Sequence, residues 1–316
     1  MKHESNRPST LSADRQGKAS GGSVRLFQQT LSNRTRKFHP EDAIDPNSKD
    51  DCLHPTLGLE VPPEIEKEHP DWDIEVAWHC FSQAITRRLT SPGGETRFLK
   101  MVKAGRYPSI IDEAARMRWA KPFLPVPEIL AEGATGRAQW LLTEGLPGLD
   151  GTHPALQADA PRLVKLLAHA LRRFHQAPVK GCLFDFRLDA ALQHACARLE
   201  TGLIDPEEHF HNEFKHLTAE QSLEHLVAAR PRDEELVVCH GDYCVPNILI
   251  HEGSLSGFVD LGELGVADVW WDLAVATWSL DWNLGPGFQE FFLKEYGAVP
   301  DPARIQYYRL LYDVVS

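Results

Sequence analysis

The chain has 316 residues, 42 % of them hydrophobic, and a formal net charge of −12, enough apolar content for one large domain or two lobes with cores of their own. No apolar run approaches membrane-spanning length and the N-terminus lacks the apolar core of a secretory signal, so a cytoplasmic location is the expectation. The acidic balance and the lack of a long basic stripe argue against nucleic acid and suit a cationic small-molecule partner.

Residues 1–55 read as a disordered leader, rich in Ser, Asn, Asp, Lys and Arg and too poor in aliphatics to offset the entropy of ordering. From about Leu57 the pattern changes. Pro63–Lys67 opens a short helix, and Ile74–Trp78 and Ala84–Leu89 read as strands. Ser91-Pro92-Gly93-Gly94 turns the chain into a returning strand at Arg97–Val102. Ile110–Trp119 reads as a helix and Trp140–Thr143 as a further strand. Gly145, Pro147, Gly148 and Gly151 then loosen the chain as a hinge would.

The second half begins helical. Asp159 can cap a helix with Pro161 in its first turn, and Leu163, Leu166, Leu167, Ala170, Leu171 and Phe174 fall on one face. Leu236–Val238 and Asn247–Ile250 are strand-like, Glu252-Gly253-Ser254 turns, and Leu255–Asp260 returns. Asp272–Leu280 and Phe288–Tyr296 are helical. The six cysteines stand singly and read as reduced thiols; Cys239 and Cys244 lack the second pair that a tetrahedral metal site needs.

The chemistry concentrates in residues 240–247, His-Gly-Asp-Tyr-Cys-Val-Pro-Asn, followed by Phe258-Val259-Asp260-Leu261-Gly262. Phosphoryl transfer needs positioned phosphates, metal ions across them and a carboxylate facing the attacking hydroxyl. Asp242 can supply that carboxylate. Asn247, five positions on, and Asp260, across a hairpin, offer the hard oxygen donors that suit Mg²⁺. Taken singly, Asp242 reads better as a helix cap or turn residue and Asn247 as a turn residue. The joint pattern between strands is what points to a kinase-type site. A hydrolase built on Cys239 and His240 is disfavoured, because neighbours on a strand point to opposite faces.

The segment from Val237 to Thr277, with its HGD and GVAD motifs, resembles the core of the aminoglycoside phosphotransferase family, in particular the 3′-phosphotransferase subgroup. The resemblance extends more weakly over residues 57–316. It implies an α+β, two-lobed protein-kinase-like fold. A small β-rich N-lobe with nucleotide-binding sheet and hinge would span 56–146. A larger, mainly helical C-lobe with catalytic loop and acceptor site would span 147–316. It further implies a small-molecule kinase moving the γ-phosphoryl group of ATP or GTP, with Mg²⁺, to a hydroxyl of an aminoglycoside antibiotic, acting as a monomer or homodimer. Other family acceptors (macrolides, choline, homoserine, ketosamines) and a degenerate nucleotide binder are the alternatives. Carried over by position, Asp242 would be catalytic, and Asn247 and Asp260 would hold the metal. Asp272 would support the catalytic loop. Lys100, paired with Glu113, would meet the phosphates beneath a loop containing Ser82, and the backbone near Glu144 and Leu146 would meet adenine. Glu207, Glu208, Glu213, Asp313 and the carboxylate of Ser316 would face the acceptor's ammonium groups.

The sequence departs from that family at three places. The phosphate loop, Cys80–Ala84, lacks glycine. Glu263 stands where a basic residue is usual, either facing the triphosphate, where an anion is unfavourable, or turned to solvent. The acidic acceptor positions are only partly kept, with Trp278 and Ser279 where relatives often carry charge. His209, His211 and His216 read as solvated surface rather than a metal site. Trp270, Trp271, Trp278 and Trp282 read mostly as core, with one available to line a sugar pocket.

Overall fold

A computed structural model of the chain describes residues 59–79, 84–104, 109–135 and 137–316, all within one compact unit, His54–Ser316. The expected leader, Ser82 and the rest of the phosphate-loop segment Cys80–Gln83 lie outside the described residues, as does the side chain of Glu208.

The N-terminal part follows the expected order. Helix α1 (Pro63–Glu68) leads into strands β1 (Asp73–His79), β2 (Ile85–Thr90) and β3 (Thr96–Lys103). Then come helix α2 (Ile110–Ala120) and strands β4 (Ile129–Ala134) and β5 (Ala138–Glu144). The five strands form one antiparallel sheet in the order β1-β2-β3-β5-β4. Ile85, Leu89, Leu99, Met101, Trp140 and Leu142 alternate onto one face and bury there with Leu59 and Ile65, as period-2 patterning dictates. Strand β4 was not anticipated. Its sequence, ILAEGA, carries residues of low strand preference, and it forms by pairing with the apolar β5.

The C-terminal part is mainly helical. After β6 (Leu149–Asp150) come α3 (Pro154–Gln157), α4 (Ala160–Phe174), α5 (Leu188–Glu200), α6 (Pro206–His209) and α7 (Ala219–Ala228). Strand β7 (Leu236–Cys239), a 3₁₀ turn at Val245–Asn247, and strands β8 (Ile248–His251), β9 (Ser254–Phe258) and β10 (Gly265–Asp268) follow. Helices α8 (Val269–Leu284), α9 (Gln289–Tyr296) and α10 (Pro302–Val315) close the chain. Asp159 caps α4 as expected, accepting from the Arg162 N–H. The apolar face of α4 packs into a core shared with α2, β8, β9 and α8, and α5, α7, α8 and α10 enclose a second core.

Two boundaries beside the site differ from expectation, and the helix expected at Asp272–Leu280 runs from Val269 to Leu284. Asn247 belongs to the 3₁₀ turn rather than to a strand, because Pro246 cannot donate to a ladder. The returning strand ends at Phe258, and Asp260 takes a left-handed backbone, φ +61°, a conformation that costs a non-glycine residue about 1 kcal/mol. Among the described residues no helix is long and apolar enough to cross a membrane.

Candidate active site

The site is assembled from both parts of the fold. Lys100 projects from β3 and its ammonium bridges two carboxylates, Glu113 of α2 at 2.7 Å and Asp260 at 2.6 Å. Burial alone would push the Lys100 ammonium down in pKa, but Asp260 and Glu113 outweigh it and hold the group well above its usual range. Loss of solvent likewise works against ionisation of Asp260, and Lys100 more than offsets it, keeping this carboxyl below the ordinary value. Arg116, one turn beyond Glu113, donates to the Leu264 carbonyl at 2.9 Å and so fastens α2 to the loop that follows Asp260.

The loop after β7 holds Asp242 and Asn247. Asn247 donates through Nδ2 to the Asp242 carbonyl and to Asp242 Oδ2, both at 2.9 Å. The β8–β9 hairpin, with Ile248 opposite Phe258 and the Val259 N–H bonded to the Asn247 carbonyl, returns the chain to place Asp260 beside this loop. The outer oxygen, Asp242 Oδ1, accepts from the Cys244 thiol at 2.8 Å and from the Tyr312 hydroxyl of α10 at 3.1 Å. Burial first, and the Asp260 charge second, raise the Asp242 carboxyl above its ordinary value, with those two donors working against the shift.

Asp272 fixes the loop from behind. It sits in the first turn of α8, whose cap is Asp268. Its side chain accepts from the His240 N–H at 2.7 Å and the Gly241 N–H at 2.9 Å, and it meets His175 at 2.9 Å. Gly241 has φ +91°, and a Cβ there would lie 2.3 Å from the Glu263 carbonyl oxygen, so only glycine fits. The Trp271 indole N–H closes the arrangement on the Gly241 carbonyl at 2.8 Å. Trp271 is core, Trp270 and Trp278 pack against the core, and Trp282 is exposed with its ring 5.7 Å from that of Trp278. Cys239 is buried against the Asp268 carbonyl and His240 against the Val259 carbonyl, which leaves no nucleophile–base pair between them.

Glu263 is not turned to solvent, which overturns one of the two readings of that position. It is buried, with the Ser316 hydroxyl 3.4 Å from Oε2. Burial, and after it the nearby Asp242 charge, push its carboxyl up to about 8. An acidic residue is accommodated so close to Asp242 and Asp260 because it is largely neutral at pH 7.

The hinge residues stand where a strand end meets the second part. Glu144 closes β5 with its N–H on the Glu128 carbonyl, and the Leu146 side chain approaches Gly257 in β9 so closely that a Cβ there would lie 2.5 Å from Leu146 Cδ1. The residues expected to face the acceptor differ in their surroundings. Glu207 is exposed. Glu213 lies 3.6 Å from Arg309, and burial raises its carboxyl. Asp313 is buried and both its oxygens are taken by His211, through the backbone N–H at 2.8 Å and the ring. The main-chain oxygen of Ser316 accepts from Arg198 at 2.7 Å. Sequence reasoning missed Cys244, His175, His211 and Tyr312 as members of this region. Only the position of Cys244 two residues after Asp242 offered a signal.

A sheet lysine paired with a helix glutamate, joined to the loops that carry Asp242, Asn247 and Asp260, defines a small-molecule kinase. Comparison with known proteins agrees. A family model described as "Phosphotransferase enzyme family" matches residues 75–308. An aminoglycoside 3′-phosphotransferase of Streptomyces fradiae is 37 % identical over 207 residues, 63 % of this chain and 77 % of that protein. Among solved structures, an aminoglycoside-3′-phosphotransferase of type VIII superposes with TM-score 0.72 at 29 % identity, covering 84 % of this chain and 98 % of that one. An aminoglycoside phosphotransferase from Streptomyces rimosus, solved with ADP and streptomycin, gives 0.64 at 25 % identity, covering 80 % and 96 %. The chain belongs to this phosphotransferase enzyme family.

Proposed function

We propose that this protein transfers the γ-phosphoryl group of ATP to a hydroxyl of an aminoglycoside, with Asp242 as the catalytic carboxylate. The observation that carries the reading is the convergence of Lys100, Glu113, Asp260, Asn247 and Asp242 through a chain of direct hydrogen bonds and one short hairpin. The ADP and streptomycin in the Streptomyces rimosus structure and the names of the curated relatives support both substrates.

Each residue has a role that follows from its surroundings. Lys100, fixed by Glu113, would meet the α- and β-phosphates, and Asp260 would be left to hold a metal. The backbone around Glu144 and Leu146 would receive adenine. Asp242 Oδ1, the oxygen not held by Asn247, would receive the acceptor. It accepts a hydrogen bond from the attacking hydroxyl and takes its proton as the new O–P bond forms and the bond from γ-phosphorus to the bridging oxygen breaks. Its pKa, raised by burial and then by the Asp260 charge, improves it as a base. Asp272 keeps the loop in register from behind.

The donor set fits Mg²⁺. Asp260 is a carboxylate, and Asn247 spends its amide nitrogen on Asp242, which turns Oδ1 away as a neutral oxygen donor. Asn247 and Asp260 would hold the ion, which would supply positive charge to neutralise the phosphates.

Incubating the full chain with γ-labelled ATP, Mg²⁺ and, in separate reactions, aminoglycosides, choline, homoserine, a macrolide and a ketosamine tests the reading. Label in the acceptor is the expected result. Label transferred only to choline, homoserine, a macrolide or a ketosamine would reject the acceptor, and none anywhere would reject the kinase.

A further inference from the structure

Asp242 Oδ1, the oxygen that an acceptor hydroxyl must reach, already receives two donors of the protein itself. The Cys244 thiol donates to it at 2.8 Å and the Tyr312 hydroxyl at 3.1 Å. The other oxygen, Oδ2, is held by Asn247 Nδ2 at 2.9 Å. A carboxylate oxygen offers about two lone-pair sites, so a third donor reaches Oδ1 only as one of these two gives way.

The two donors differ in how they are held. Cys244 is buried and belongs to the same turn as the carboxylate. Its backbone N–H donates to the Asp242 carbonyl at 2.8 Å, and its carbonyl accepts the Asn247 N–H at 3.0 Å. The next residue, Val245, donates its N–H to the Ser279 hydroxyl of α8 at 2.9 Å. The thiol can leave Oδ1 only if this turn is remodelled. Tyr312 comes from a separate element, α10, at a separation of 70 positions, and is only partly buried. Its hydroxyl hydrogen rotates about the C–O bond and can turn to an incoming oxygen instead.

We propose that Cys244 is a positioning residue, the fixed donor that aims Asp242 Oδ1 at the acceptor, and that Tyr312 is the exchangeable donor whose place on Oδ1 the acceptor hydroxyl takes. With Tyr312 displaced and the thiol removed, Asn247 on Oδ2 is the one remaining contact among these three. The carboxylate can then turn about its Cβ–Cγ bond and carry Oδ1 out of line. Misaiming of that kind acts on the transfer step rather than on the binding of either substrate. The inference rests on the reading of Asp242 as the base and adds what aims it.

The test is steady-state kinetics of the full chain with ATP, Mg²⁺ and the acceptor that takes label best, at a temperature where circular dichroism shows each variant folded. Cys244→Ala should lower kcat about fivefold or more, the scale of one hydrogen bond, with both KM values unchanged. Cys244→Ser, which returns a donor, should recover most of that loss. Tyr312→Phe should lower the acceptor KM about twofold or more, because one hydrogen bond no longer has to break. A kcat within about twofold of the parent in Cys244→Ala overturns the inference. So does a loss that Cys244→Ser leaves in place, which would mark packing by the sulfur rather than donation. An acceptor KM that stays or rises in Tyr312→Phe overturns it as well, since that hydroxyl would then belong to the acceptor's own contacts. Asp242→Asn tells the two readings apart. If it retains turnover, the base itself is wrongly assigned; if it loses turnover while Cys244→Ala does not, this inference alone fails.

Discussion

Lys100 Nζ lies 2.6 Å from Asp260 Oδ1 although 160 positions separate the two residues. The same ammonium holds Glu113 at 2.7 Å, so one side chain ties β3, α2 and the loop after β9 together. In the proposed reading a nucleotide would compete for both ends of this contact, its phosphates for the lysine and its metal for the aspartate. Lys100→Ala should therefore weaken nucleotide binding, raising the ATP KM about tenfold or more, the scale of a charge-assisted contact. Asp260→Ala should abolish metal-dependent nucleotide binding altogether. Isothermal titration with ATP, in the presence and absence of Mg²⁺, distinguishes the two variants. Equal losses in both conditions for Asp260→Ala would remove it from the metal site.

Asp242→Asn separates chemistry from binding. The amide keeps the shape and can still contact Asn247, Cys244 and Tyr312, but it has no proton affinity to offer. Turnover should fall about a hundredfold or more, the contribution of a positioned acid–base group, while ATP affinity stays near that of the parent. Rapid-quench measurement of the transfer step would show the loss directly. Near-normal turnover would exclude Asp242 as the base.

The parts of the site that could be read from sequence are those whose spacing is local. Asp242 and Asn247 occupy one loop, and a single hairpin returns Asp260, so residue types and a turn signal were enough to place them together. Lys100 and Glu113 needed the resemblance, since nothing local joins a strand lysine to a helix glutamate. What stayed hidden depends on packing between distant elements. Tyr312 reaches Asp242 from the last helix, His211 reaches Asp313 across 102 positions, and His175 reaches Asp272 across 97. The burial of Glu263 was equally illegible, because its depth comes from Gly241 and the C-terminal helix closing over it. Strands β4 and β10 form by pairing with partners already in the sheets and carry little signal of their own.

Asp272 is fully buried and accepts two backbone N–H groups and His175. Asp272→Ala leaves all three donors without an acceptor. The cost should be about 3–5 kcal/mol, as for removing one partner of a buried polar network. A denaturant melt should show this as a lower midpoint with an unchanged slope. Activity at a temperature where the variant remains folded should also fall, since His240 and Gly241 carry Asp242. A variant that lost stability alone would reduce Asp272 to a structural role.

The raised Glu263 carboxyl makes a prediction about pH. An unfolded chain releases this proton near 4.5, whereas the folded one keeps it until about 8. Between those values the folded state holds a proton the unfolded state has lost, so this group's contribution to stability falls as pH rises and levels off above about 8. Glutamine in its place is neutral throughout. In magnesium-free buffer the stability of Glu263→Gln, followed as Tm, should therefore rise relative to the parent's between pH 5 and pH 9. The gain is about 1.4 kcal/mol for each pH unit that separates proton release in the unfolded and folded parent. Most of that rise should come before pH 8. A Tm difference that stays constant across the range would show that Glu263 ionises as readily in the folded protein as in the unfolded chain, and its burial beside Asp242 would then carry no electrostatic penalty.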